Sequence, residues 1–524
     1  MHSAQAPINE NLWEPVFQAA VQFHGSGRLD EAASVFTAIV EHNPGHFVSL
    51  HRLAAIRRHQ GRLEESLALL EKAIQCNPDN ADAHNSLGNT LNALDRHEDA
   101  IAQYRCATSL KGDFPEAHVN LGNSLKALRR YEEAADAYRA AIALRPGYAE
   151  AHSNLGLVLD LMNRPADALD SFEAAVRFDP GIRLGYNNLA LALVDLDRHE
   201  EAVPFFQLTR RLDPAAPEPV YNESLVQLAL GNFERGWPDY EARWRVPDLK
   251  LHRPDFTQPM WDGRSDIAGK TILLHAEQGL GDTILFARFI ERVAAKGARV
   301  ILAAQAALAP LLRSIPGVAQ VFTSGEPLPD FDLHASLGSL PLAFDATLET
   351  IACERAYLHT PAESETITSL NECGESRLVG VCWAGNPAHS NDRNRSIPVS
   401  AFERLFRIPG IRFVSLQQNL RAGEDSILAR YDNFDQTSVH KASSLADTAA
   451  LISRLDLVIT VDTAIAHLAG ALHRRVWVLL PFRAYWVWLR HRADSPWYPT
   501  ARLYRQKRPG DWEGVLEQAG EALR

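Results

Sequence analysis

The sequence has few cysteines, no surplus of positive charge and no long apolar run. Its five cysteines are scattered among 524 residues, without a Cys-x-x-Cys or a histidine pair at metal-ligand spacing. This argues against a disulfide framework and against a zinc site. The formal net charge of −12 argues against a general nucleic-acid binder. Because no signal-like segment and no run of about 18 apolar residues occurs, we expect a cytoplasmic protein without a transmembrane segment.

The first half of the chain is periodic with a step of 34 residues. The spacing and the residue types resemble the tetratricopeptide repeat (TPR), in which two antiparallel helices form each unit and proline ends the second helix. We predict an N-terminal all-α TPR solenoid at residues 13–246, with six repeats and a partial seventh unit as a cap, and a linker at residues 247–268. The recurring residues are Pro44, Pro78, Gly112, Pro146, Pro180 and Pro214, with Arg28, Arg62, Arg96, Arg130, Arg164 and Arg198 in the same register.

One column of the first helices is rich in asparagine, at Asn120, Asn154, Asn188 and Asn222. An amide both donates and accepts hydrogen bonds, so a ladder of amides can hold an extended peptide backbone without reading its sequence. The column is similar to the asparagine ladder of O-linked N-acetylglucosamine transferases, and this resemblance implies a groove for a protein or peptide acceptor. The alternative is that asparagine favours the helix start or bonds within its own repeat.

The second half alternates short apolar segments with helical ones, which is typical of parallel α/β sheets. We expect two Rossmann-like lobes, at residues 269–360 and 377–524, in a GT-B glycosyltransferase layout with the ligand where the lobes face each other. The predicted strands are 271–275, 299–304, 320–323, 331–335, 377–383, 411–416, 457–460 and 476–480.

Four motifs follow one another in these lobes. Their order resembles the lipopolysaccharide heptosyltransferases (glycosyltransferase family 9) and their TPR-fused bacterial relatives. The resemblance implies an inverting, metal-independent glycosyltransferase that uses a nucleotide-sugar and no further cofactor. The motifs are Gly279-Leu280-Gly281-Asp282, Trp383-Ala384-Gly385-Asn386-Pro387, Asp392-Arg393-Asn394-Arg395-Ser396-Ile397-Pro398 and Asp462-Thr463-Ala464-Ile465-Ala466-His467.

The resemblance also implies roles for single residues. Asp282 matches the catalytic carboxylate, and inverting transfer needs such a base at the acceptor hydroxyl. The alternatives are that Asp282 caps a helix starting at Thr283, and that Glu277 is the carboxylate. Arg395 matches the cation that contacts the donor phosphates. The predicted donor-binding set is Gly281, Trp383, Gly385, Asn386, Arg395, Gln417, Asp462, Thr463, Ala464 and His467.

Two of these donor residues carry a reservation. Ala464 stands where the family usually has glycine, and His467 is alternatively a satisfied core histidine.

We therefore expect transfer of a sugar to a Ser or Thr of a protein held by the TPR groove. Flagellin-modifying transferases share this layout, so flagellin or another surface protein is the expected acceptor. A second hypothesis is a glycan or lipid-linked acceptor, with the repeats as a recruitment module. A third is a degenerate, non-catalytic scaffold that acts through its repeats.

Overall fold

The computed structural model describes residues 13–361, 376–389, 391–436 and 444–524. Its internal contacts divide the chain into two units, residues 1–196 and 197–524. None of the helices in the described ranges is long and apolar enough to cross a membrane.

The first unit is the predicted all-α array. Eleven helices pack in sequence order within its described part. They are α1 (Trp13–Gly25), α2 (Leu29–His42), α3 (Phe47–His59), α4 (Leu63–Cys76), α5 (Ala81–Ala93), α6 (His97–Leu110), α7 (Pro115–Ala127), α8 (Tyr131–Leu144), α9 (Ala149–Leu161), α10 (Pro165–Phe178) and α11 (Gly185–Asp195).

Within a repeat, an aromatic ring of the second helix packs directly against a glycine of the first helix. A Cβ built on Gly122 would lie 2.5 Å from the ring of Tyr138, and one on Gly156 would lie 2.6 Å from the ring of Phe172. Both rings are almost fully buried. Packing therefore explains the glycines at these two positions, since a larger residue would force the ring out of its place.

The second unit begins with three more helices and continues with two parallel sheets, as expected for a helical segment followed by α/β lobes. The first sheet has the strand order β3-β2-β1-β4, and the second has the order β10-β9-β8-β5-β6-β7. The strands are β1 (Thr271–His275), β2 (Arg299–Ala303), β3 (Val318–Phe322), β4 (Leu333–Ser336), β5 (Arg377–Cys382), β6 (Ile411–Ser415), β7 (Phe434–Asp435), β8 (Leu457–Val461), β9 (Val476–Leu480) and β10 (Ala501–Arg505).

The described part of this unit has helices before, between and after these strands. They are α12 (His199–Leu212), α13 (Pro217–Ala229), α14 (Phe233–Tyr240), α15 (Leu280–Ala287), α16 (Ile290–Ala294), α17 (Ala309–Leu312), α18 (Leu340–Ala343), α19 (Asp392–Arg395), α20 (Val399–Phe406), α21 (Glu424–Leu428), α22 (Leu445–Ile452), α23 (Ala464–Ala471) and α24 (Trp512–Leu523).

The helices α13 and α14 share an apolar core with the α/β part. Phe233, Trp237 and Tyr240 belong to the same buried cluster as Trp486 and Trp497. The Trp237 indole also donates a hydrogen bond to the carbonyl of Ala346, at 3.0 Å. This shared core explains why the contacts divide the chain after residue 196, whereas the sequence predicts a domain boundary at residue 246.

Candidate active site

The first turns of α15 and α23 meet, and each helix follows a strand in the interior of its sheet, β1 or β8. A Cβ built on Gly281 would lie 3.0 Å from Cδ2 of His467 and 3.8 Å from Cα of Ala464. The close approach of the two lobes is therefore made at Gly281. Ala464, which stands where the family usually has glycine, is the first residue of α23 and faces Gly281.

Asp282 lies in the first turn of α15. This helix begins at Leu280 with Gly279 as its N-cap residue. The predicted helix start at Thr283 is therefore wrong, and so is the alternative in which Asp282 is the cap. The extended backbone of Gly279, with φ −66° and ψ 171°, turns the chain into the helix three residues earlier than expected.

The surroundings of Asp282 favour its protonated form. Burial, followed by the negative charges of Glu277 and Asp462, raises the pKa of Asp282 to about 7. Tyr485, which is 36% exposed, donates its hydroxyl to Asp282 Oδ1 at 3.5 Å. A carboxyl group with this pKa can accept a proton at neutral pH, which is the property of an effective general base.

Two more tyrosines near Asp282 come from the helices that precede the α/β part. Tyr221 lies on α13, and its ring centroid is 5.8 Å from that of Tyr240 at the end of α14. The charge of Asp282 contributes to raising the pKa of both phenols, after burial as the main cause. Gln278 donates to the Tyr240 hydroxyl at 2.8 Å. Sequence reasoning missed Tyr221, Tyr240 and Tyr485 because nothing in the local pattern connects them with Asp282.

Arg395 lies against the turn after β8. Its Nη1 donates to the carbonyl of Asp462 at 3.2 Å, and its Nε is 3.6 Å from Oδ1 of Asp392. A Cβ on Gly385 would lie 2.6 Å from Nη2 of Arg395, so only glycine leaves room for the guanidinium. The structure thus brings together Gly385, Arg395 and Asp462, three of the predicted donor residues.

A polar network whose centre, Asp392 and Ser396, is buried supports this arginine. Asp392 accepts from the hydroxyl of Ser396 at 2.7 Å and forms an ion pair with Arg421. Ser396 in turn accepts from the backbone N–H of Gly385 at 3.0 Å. Sequence reasoning missed these contacts of Asp392, Ser396 and Arg421, although the motif containing the first two was recognised.

Trp383 and Gln417 support the loop after β5. Trp383 is fully buried and donates its indole N–H to Glu424 at 3.0 Å. Gln417 is 8% exposed, and its Oε1 accepts from the backbone N–H of Ala384 at 3.0 Å. Asn386 is exposed and closes a turn by accepting from the N–H of Ala388 at 3.0 Å. Their contacts with a donor stay predictions.

His467 is 5% exposed and is stacked on Trp488, with ring centroids 5.3 Å apart. A hydrogen bond of 2.9 Å joins its Nδ1 to the hydroxyl of Tyr498. Burial, assisted by the charge of Arg288, lowers the pKa of His467 to about 3, so the ring is neutral. These contacts are those of a satisfied core histidine, and the donor role of His467 stays a prediction.

Asp462 and Thr463 form the turn between β8 and α23. Burial raises the pKa of Asp462, and the charge of Arg395 opposes this rise. Thr463 is the N-cap residue of α23 but makes no side-chain cap bond; its hydroxyl is 3.2 Å from that of Thr460.

The asparagine column is divided between the two units. Asn120 donates to Oδ1 of Asn85, in the preceding repeat, at 3.0 Å. This bond joins two repeats and is not the bond within one repeat that the alternative assumes. Asn154 and Asn188 are partly exposed in the first unit, and Asn222 is partly exposed on α13 in the second.

Comparisons with known proteins match repeat models to the helical part of the chain and a glycosyltransferase model to its α/β part. Residues 417–479 match the model of glycosyltransferase family 9 (heptosyltransferase). Residues 119–183 and 162–217 match a tetratricopeptide repeat model, and residues 55–95 match a TPR repeat model. The chain thus combines TPR repeats with a segment that is similar to family 9 glycosyltransferases.

A relative matches over a larger part of the chain. Protein FlbA of Caulobacter vibrioides is 28% identical over 329 residues, which cover 58% of this chain and 54% of the relative. The chain thus spans about half the length of this relative.

Solved structures resemble part of the chain. YrrB, described as a TPR protein with an unusual peptide-binding site, is 21% identical, with 37% of this chain and 100% of that chain covered and a TM-score of 0.32. A tetratricopeptide repeat protein from Parabacteroides merdae is 16% identical, with 45% and 93% covered and a TM-score of 0.38. At these TM-scores the likenesses say nothing about what this chain binds.

Proposed function

We propose that this chain is a glycosyltransferase that moves a sugar from a nucleotide-sugar to a Ser or Thr hydroxyl of a protein. The observation that carries the proposal is the position of Asp282. Its carboxyl group, with a pKa of about 7, lies where the first turns of α15 and α23 meet. The match of residues 417–479 to family 9 supports the same reaction class.

In the proposed reaction Asp282 takes the proton of the acceptor hydroxyl. The acceptor oxygen then forms a bond to the anomeric carbon of the sugar. The bond between this carbon and the donor phosphate oxygen breaks, and the nucleotide leaves with the electron pair. Attack from the face opposite the leaving group inverts the configuration at the anomeric carbon. The proton ends on Asp282, from which it passes to water.

The leaving nucleotide carries negative charge that must be stabilised. We assign this role to Arg395, because a guanidinium donates two parallel hydrogen bonds to a phosphate. The nearby start of α23, with its backbone N–H groups, favours an anion at the same place. No group of three or more potential metal ligands occurs among the described residues, and we propose that Arg395 supplies the positive charge of the site.

A screen of nucleotides tests the donor site. The purified chain is heated with ADP, GDP, UDP, TDP or CMP, and its melting temperature is compared with that of the free chain. A nucleotide at 100 times its dissociation constant adds about 2.7 kcal/mol to the stability of the part that binds it. We expect one nucleotide to raise the melting temperature clearly above the others. No rise with any of them at millimolar concentration would favour the scaffold hypothesis.

A double substitution tests the protein acceptor. We expect Asn154→Ala with Asn188→Ala to weaken transfer to a protein by about fivefold to 150-fold, since each amide contributes about 0.5–1.5 kcal/mol of hydrogen bonding. Hydrolysis of the donor should not change, and the measurements are KM for the protein and the hydrolysis rate. Asp170→Ala with Glu173→Ala, on the exposed face of α10, is the control. Equal damage to transfer onto a small glycan would favour the glycan hypothesis instead.

A further inference from the structure

A buried arginine lies at the edge of the first sheet where its strands end. Arg243 comes from the 3-10 helix Glu241–Arg245, which directly follows α14, and its side chain is 0% exposed. A buried cation is costly unless it is paired and hydrogen-bonded. Arg243 meets this condition through Glu241 at 2.6 Å, Glu277 at 3.1 Å, Ser336 Oγ at 3.2 Å and Ser339 Oγ at 2.8 Å.

Glu277 is the partner of Arg243 on the loop between β1 and α15. Its side chain is 5% exposed, and its Oε1 also accepts from the backbone N–H of Gly338 at 3.2 Å. A Cβ on Gly338 would lie only 2.3 Å from this oxygen. The carboxyl group is therefore held by the arginine on one side and by a glycine backbone on another, so its position is closely defined. Burial raises the pKa of Glu277, and the charge of Arg243 opposes this rise and favours the ionised form.

The same loop leads within five residues to Asp282. The groups whose charge acts on Asp282 are Glu277 on its own loop and Asp462 from the second lobe, and Tyr485 donates a hydrogen bond to it. Asp282 is coupled in turn to the buried phenols of Tyr221 and Tyr240. Glu277 has the largest effect among the charged groups, and it acts in the direction that keeps the proton on Asp282.

We propose that Arg243 and Glu277 are positioning residues: Arg243, in the segment that follows the last helices, fixes the loop that leads from Glu277 to Asp282, and the charge held on that loop acts on the Asp282 carboxyl group. The proposal rests on the proposed function only for the role of Asp282 in transfer. The electrostatic coupling itself can be measured without a substrate.

The coupling changes stability with pH in a predictable direction. The pKa of Asp282 is raised from 3.8 to about 7 on folding, so the unfolded chain loses this proton first as the pH rises. Asp282 therefore makes the folded state less stable between about pH 4 and pH 7, and the loss is complete above about pH 7. Asp282→Asn removes this loss. The melting temperature of D282N relative to the unmutated chain should thus rise with pH and level off near pH 7.

The test compares this curve in two backgrounds. In Glu277→Gln the amide keeps hydrogen-bonding capacity but carries no charge. In this background the melting temperature of D282N relative to its parent should level off at a pH lower by about one unit. Taking the difference between D282N and its parent in each background cancels effects that Glu277→Gln has by itself. Glu354→Gln, an exposed carboxylate of the same lobe, is the matched control and should leave the plateau where it is. An unchanged plateau in Glu277→Gln would overturn the proposal.

A second substitution tests the arginine. Arg243→Met leaves Glu277 buried without its counter-ion, so Glu277 should take up a proton and the plateau should move in the same direction as in Glu277→Gln. Arg245→Met, in the same 3-10 helix but exposed, is the control. A plateau unchanged by Arg243→Met in a folded chain would contradict the role of Arg243. If the plateau shifts as expected and no nucleotide binds, the coupling stands and the transferase proposal fails.

Discussion

Asp282→Asn is expected to lower the rate of sugar transfer by about 10²- to 10⁴-fold, because a positioned general base contributes about this much. An asparagine has nearly the same shape and cannot take the acceptor proton. Binding of the nucleotide should persist, since Arg395 and the turn at Asp462 are untouched. The measurements are kcat with the donor class found in the nucleotide screen and the thermal shift with that nucleotide. Asp248→Asn, an exposed aspartate, is the control.

The pH dependence of transfer gives this prediction a second observable. Asp282 is active as a base only when deprotonated, and its pKa is about 7. In the unmutated chain kcat/KM should therefore fall about tenfold per pH unit below pH 7 and level off above it. The residual activity of Asp282→Asn should not show this decrease below pH 7. Full transfer by that variant would remove Asp282 from the mechanism, and the Glu277 alternative would then be tested in the same way.

The sequence predicts those elements that local patterns determine. The strands β1 and β9 lie at the residues expected from their apolar runs, and the 34-residue period marks the helices of the first unit. The sequence places the start of α15 three residues too late, because Gly279 adopts an extended conformation that its residue type does not specify. The short β7 was not predicted, since two residues of edge strand give no periodic signal.

The candidate site was predicted as a set of motifs, but the directions of their side chains were not. Gly385 and Arg395 come from two different motifs. In the structure the guanidinium of Arg395 fills the space that a Cβ on residue 385 would need. Trp383 is fully buried directly after β5, where a residue can face either the ligand or the interior, and its contact with a donor stays a prediction. Tyr221 and Arg243 lie in segments that the sequence assigned to the helical array. Their proximity to the loop of Asp282 arises from tertiary packing, which no local pattern encodes.

Arg395→Ala is expected to weaken binding of the selected nucleotide by about tenfold to a hundredfold, because a hydrogen bond to a charged group contributes about 1.5–3 kcal/mol. The structural reason is that its Nη1 is already fixed by the carbonyl of Asp462, at 3.2 Å, beside the start of α23. Isothermal titration with the nucleoside diphosphate measures the dissociation constant directly. Arg393→Ala, from the same short helix but exposed, is the matched control and should bind as the unmutated chain does.

Gly385→Ala separates the position of this guanidinium from its charge. The added Cβ would lie 2.6 Å from Nη2 of Arg395, so the guanidinium must move although its charge remains. If Arg395 binds phosphate through two parallel hydrogen bonds, Gly385→Ala should weaken the nucleotide nearly as much as Arg395→Ala does. If only the positive charge matters, Gly385→Ala should bind almost normally. Arg395→Ala removes the guanidinium from the turn of Asp462 altogether. An unchanged dissociation constant in that variant would therefore show that the donor phosphates bind elsewhere.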